Sequence, residues 1–87
     1  MTWRVVFSKA AQKDARKIAR SHLRPRVEEL LAILREDPYA TPPRFEKLIG
    51  DLEGALSRRI NSQHRLVYQV VDAERTVKIL RMWTHYE

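Results

Sequence analysis

Five residues of this 87-residue chain could together cut a phosphodiester: Glu46, Arg59, Arg65, His85 and Tyr86. A carboxylate can take a proton from a ribose 2′-OH, an imidazolium can give one to the leaving oxygen, and guanidiniums can stabilise the charge that builds on the phosphorus-bound oxygens. Tyr86 could stack on a base or donate to a phosphate. One carboxylate and no cysteine make a poor divalent-ion site, whereas arginines already supply positive charge, so neither a metal nor a cofactor is expected. Each residue alone has a duller use. A histidine near a chain end is usually solvated, and arginines on strands can simply discourage edge pairing.

The elements that must bring these residues together can be read from the pattern. "TWRVVF" alternates Trp3, Val5 and Phe7 against Arg4 and Val6, which suits a strand. Ser8 is a fitting N-cap for a helix in which Ala11, Ala15, Ile18 and His22 recur on one side. Pro25 can open a second helix, carried by Leu23, Val27, Leu30, Leu31 and Leu34, and Pro38 must end it. "DPYATPPRF" then reads as an extended connector, with Glu46 just after it. Three strands follow, at Leu56 to Ile60, Arg65 to Val71 and Thr76 to Trp83, joined by turns at "NSQH" and "DAER", with Gly50 and Gly54 breaking the approach. The expected fold is α+β, in the order β-α-α-β-β-β, an antiparallel sheet with both helices packed on one face. A turn between the strands of Arg59 and Arg65 lets those two side chains approach one another. Arg58 has the opposite parity to Arg59 and should point to the other face.

A chain of this length forms one domain, residues 1–87, and buries only about 60–65% of its unfolded surface, which leaves no room for a large cofactor pocket. It has no cysteine, no apolar run long enough for a membrane span and no signal-peptide pattern at its start, so a cytoplasmic location is expected. Seventeen Lys and Arg against eleven Asp and Glu give a net charge of +6. Residues 8–26 hold seven cations (Lys9, Lys13, Arg16, Lys17, Arg20, Arg24 and Arg26) and only Asp14 in opposition, which accounts for the whole excess. Lys9, Lys13, Arg16, Lys17 and Arg20 would form the outer face of the first helix. Such a face can be merely solvated, but the scarcity of i+4 carboxylates favours contact with a phosphate backbone.

The run "EKLIGDLEGALSRRINSQHRLVYQVVDAERTVKILRMWTHYE", residues 46 to 87, resembles the Txe/YoeB family of bacterial toxins within the RelE superfamily. The N-terminal "WRVVFSKAAQKDARKI" is similar to the same branch through weaker motifs. The resemblance implies a ribosome-dependent messenger-RNA endonuclease acting at the A site of the ribosome, neutralised by a cognate acidic antitoxin. By that resemblance Glu46 matches a general base, His85 a general acid, Arg59 and Arg65 the arginines on the scissile phosphate, and Tyr86 a terminal tyrosine that positions RNA. Ile49 stands where some members carry an active-site lysine, and Lys47, of the same parity, could replace its charge. Ala55 and Leu56 replace aromatics often found before "SRRI", a change that bears on packing. Two other readings remain at this level: a ParE-like topoisomerase inhibitor on the same superfamily fold, which needs no Glu46 and His85 pairing, and a non-catalytic RNA-binding module.

Overall fold

The computed structural model describes residues 2–50 and 54–83, in the order β1 (Arg4–Phe7), α1 (Lys9–Ala19), α2 (Arg24–Glu36), β2 (Phe45–Lys47), β3 (Leu56–Arg59), β4 (Arg65–Val71) and β5 (Thr76–Arg81). The strands form one sheet in the order β1-β5-β4-β3-β2. Two features correct the expectation from sequence. The sheet has five strands, because the end of the proline connector folds as the short edge strand β2. It is also mixed, since β1 runs parallel to β5 while every other pairing is antiparallel. Short turns force antiparallel order from β2 to β5. Two helices separate β1 from the rest, so no hairpin dictates its direction.

Ser8 caps α1 as its position predicts: its hydroxyl oxygen accepts from the Ala11 N–H at 3.0 Å. The same hydroxyl donates to the Leu80 carbonyl at 2.9 Å and so ties the helix start to β5. α2 carries Pro25 in its first turn and ends before buried Pro38. Ala11, Ile18, Val27, Leu30 and Leu34 meet Leu56, Leu66, Tyr68, Val77 and Ile79 in one core. These sheet residues share one parity through the strand registers, so both helices cover the same face. His22 departs from the expected stripe, because α1 stops at Ala19 and leaves it exposed.

Two buried polar residues lock this arrangement. Arg58 is completely buried on the helix-covered face. Its Nε donates to the Tyr68 hydroxyl at 2.9 Å, and its two terminal nitrogens donate to the Pro43 carbonyl at 2.6 Å and the Pro38 carbonyl at 3.0 Å. The guanidinium also lies 5.1 Å from the centre of the Phe45 ring. One side chain therefore holds both ends of the proline connector against the sheet. Burial pushes the Tyr68 hydroxyl above its ordinary value of 10.0, with Arg58 working against that shift. It stays protonated and donates to the Pro38 carbonyl at 3.2 Å.

Asp14, on the buried side of the otherwise basic α1, is 1% exposed. Its carboxylate accepts from Arg81 Nε and from the Met82 N–H, both at 2.9 Å. Burial opposes its charge, but the hydrogen bonds from Arg81 and from the backbone of Met82 and Trp83 outweigh that penalty, so the carboxyl sits below its ordinary 3.8. Among the described residues no helix is long and apolar enough to cross a membrane.

Candidate active site

The face of the sheet turned away from the helices carries three of the five candidate residues, Glu46, Arg59 and Arg65. Glu46 pairs with Ser57 across β2 and β3, and Arg59 pairs with Arg65 across β3 and β4, so all four share one parity. Arg65 reaches diagonally over Ser57 and donates to Glu46 Oε1 at 3.1 Å, with the Ser57 hydroxyl 3.5 Å from the same nitrogen. Glu46 is half exposed and the Arg65 side chain is 23% exposed, which leaves an incoming anion access to both. Arg59 is exposed at the end of β3. The approach of Arg59 to Arg65 is the one the sequence pattern anticipated; Glu46 joins them through the pairing of β2 with β3, which the pattern left open, and Arg58 turns to the opposite face, as its parity requires.

These three residues line an open cleft of about 550 Å³ together with Arg26, Pro43 and Arg44. Four guanidiniums therefore border a space with a single carboxylate. Arg65 is paired with Glu46 and Arg26 with Glu29, whereas Arg44 and Arg59 form no ion pair among the described residues. Arg26 and Arg44 received no role from the sequence. Arg44 could have been found there, because it precedes Glu46 by two and so shares its side of an extended chain. Arg26 was hidden in a basic run most of whose members sit on α1 or at its C-cap.

Lys47 alternates with Glu46 along β2 and lines a separate, more apolar cleft with Tyr39, Ile49 and Val70. Lys47 and Ile49 do lie together, but away from the Glu46 cleft, so Lys47 adds no charge beside Glu46. Lys9, Lys13, Arg16, Lys17 and Arg20 are all exposed, on α1 and at its C-cap, as the spacing predicts. His85 and Tyr86 lie outside the described residues. The last described residue, Trp83, stacks on the His64 ring, with centroids 4.2 Å apart and planes inclined by 22°. Among the described residues no three His, Asp or Glu side chains cluster as ligands for a metal ion.

The pattern that carried the resemblance is matched independently. Residues 7–86 match the family described as "YoeB-like toxin of bacterial type II toxin-antitoxin system". The chain belongs to this family. It is 39% identical over 77 residues to the toxin YoeB of Mycobacterium bovis, an alignment that covers 88% of this chain and 78% of that protein. Its fold superposes on the YoeB/ParE toxin of Agrobacterium tumefaciens with a TM-score of 0.86, at 26% identity, covering 95% of this chain and 99% of the other. It also superposes on a chain of the YoeB-YefM complex of Staphylococcus aureus with a TM-score of 0.79, at 34% identity, covering 97% and 98% of the two chains. This chain is thus a YoeB-type toxin of a toxin–antitoxin system, built on the RelE superfamily fold.

Proposed function

We propose that this toxin is a ribosome-dependent endoribonuclease that cleaves messenger RNA by attack of the substrate's own 2′-OH. The observation that carries the reading is the Glu46, Arg65 and Arg59 constellation on the open sheet face, with Glu46 and Arg65 3.1 Å apart. When a phosphate enters between the arginines it competes with Glu46 for Arg65, and the carboxylate becomes available as a base. Glu46 then takes the 2′-OH proton, O2′ bonds to phosphorus, and the P–O5′ bond breaks as His85 gives its proton to the leaving O5′. Arg59 and Arg65 stabilise the extra charge on the phosphorus-bound oxygens during that step. The products are a 2′,3′-cyclic phosphate, or the 3′-phosphate it opens to, and a 5′-hydroxyl. Tyr86 positions the RNA. The exposed cations of α1 contact ribosomal RNA, and Lys47 can touch RNA only from the other side of β2.

The same surface accounts for control. An acidic antitoxin segment laid over Arg59 and Arg65 would occupy the phosphate site, and the Staphylococcus aureus relative is found in a complex with YefM. Ribosomes place the activity in the cytoplasm. Controlled expression followed by primer-extension mapping tests the reading: messenger ends should appear within translated codons, and His85→Gln should abolish them. A non-catalytic RNA binder, or a topoisomerase inhibitor, would keep its effect after that substitution.

A further inference from the structure

We infer that Arg44, with Arg26 on the same cleft, forms a second phosphate subsite that grips the phosphate next to the scissile one in the same RNA strand. This inference rests on the ribonuclease reading above. The cleft is larger than one phosphate needs and carries more positive charge than one phosphate can neutralise. Arg59 and Arg65 already serve the scissile group, yet Arg26 and Arg44 line the same space of about 550 Å³. Arg44 forms no ion pair among the described residues, so its guanidinium is available to an anion.

Arg44 is also held in place, which separates it from an ordinary surface arginine. Its two chain neighbours are both fixed by buried Arg58, which donates to the Pro43 carbonyl at 2.6 Å and lies 5.1 Å from the centre of the Phe45 ring. The backbone that carries Arg44 is thereby anchored to the core, so the side chain starts from a fixed point at the edge of the cleft and its backbone loses no freedom when it binds. Arg26 stands in the first turn of α2, at the positive end of the helix dipole, and its exposed pair with Glu29 is weak enough to yield to a phosphate. A single-stranded nucleic acid presents phosphates in a row, and a pair of cations next to the reacting pair fits a polymer better than a small phosphate ester. The pair fixes register: it decides which phosphate lies over Arg59 and Arg65.

The test is single-turnover cleavage on programmed ribosomes, using messengers in which each phosphate flanking the scissile one is replaced in turn by a neutral methylphosphonate. At one flanking position the replacement should slow the wild-type toxin about 10-fold, and Arg44→Gln should cause a similar loss. In the Arg44→Gln variant that same replacement should cost nothing further. Arg44→Lys should recover part of the rate, and the melting temperature of both variants should match wild type because the side chain is exposed. Arg26→Gln should show the same lack of additivity at the same position. Normal wild-type cleavage with additive losses at every flanking phosphate would overturn the subsite alone. Failure of the wild-type toxin to cut an unmodified programmed messenger would overturn the ribonuclease reading and the subsite with it.

Discussion

Glu46 and Arg65 hold each other at 3.1 Å on an open surface, an exposed pair worth little to stability and therefore free to exchange partners. A general base typically contributes about 10²–10⁴-fold, so Glu46→Gln should slow single-turnover cleavage by that order while ribosome binding changes little. Arg65→Ala should do comparable damage, and Lys should be a poor substitute where two phosphate oxygens are gripped at once. Rates within twofold of wild type for Glu46→Gln would remove the carboxylate from the chemistry. Arg58 belongs to a different class despite being its sequence neighbour. Its removal leaves the Pro43 carbonyl without its donor, at a cost of about 1–3 kcal/mol for a buried unsatisfied group, and strips the Pro38 carbonyl and the Tyr68 hydroxyl down to the one bond between them. Arg58→Ala should therefore lower the free energy of unfolding in urea by several times the effect of Arg59→Ala. Equal, small losses for the two would contradict the division of roles between the faces.

Between the elements, Asp14 is the joint that fixes α1 to the end of β5. Its folded carboxyl lies below the unfolded value of 3.8, so its stabilisation is fully present above that value and is lost as pH falls through the lower, folded value. Asp14→Asn should flatten the dependence of stability on pH below about 4 and lower stability at neutral pH; an unchanged acid-unfolding profile would deny the joint. Because Asp14 also holds the backbone at Met82 and Trp83, two residues before His85, the variant should lose cleavage rate more than ribosome affinity. None of this was legible in the sequence, where Asp14 reads as a lone acid in a basic helix. Its partner is 67 positions away, and no local pattern signals a contact of that range. What was legible was local or set by parity: the Ser8 cap, both helices, strands β3 and β4, and the approach of Arg59 to Arg65. Strand β2 escaped notice because three residues cannot display an alternation, and the parallel pairing of β1 escaped because no turn encodes it.

Taken as a whole, the molecule concentrates positive charge on the exposed side of α1 and around the cleft, while the opposite side of α1 is spent on the core. Replacing Lys13, Lys17 and Arg20 with Glu should leave the fold intact, because all three are exposed, and should weaken ribosome association and flatten its salt dependence. Unchanged affinity in a folded triple variant would reduce that face to a solvated one. Association with an acidic antitoxin should slow as salt rises, and a rate indifferent to 0.5 M salt, taken as about three times the ionic strength of ordinary buffers, would contradict charge-guided docking. The central claim is that the RNA supplies its own nucleophile under Glu46, and one substrate tests it most directly. A messenger with 2′-deoxyribose at the scissile nucleotide should bind in the programmed ribosome with the toxin and resist cutting, while the all-ribose messenger yields a 5′-hydroxyl fragment. Efficient cleavage of the deoxy messenger, or a fragment bearing a 5′-phosphate, would contradict the account.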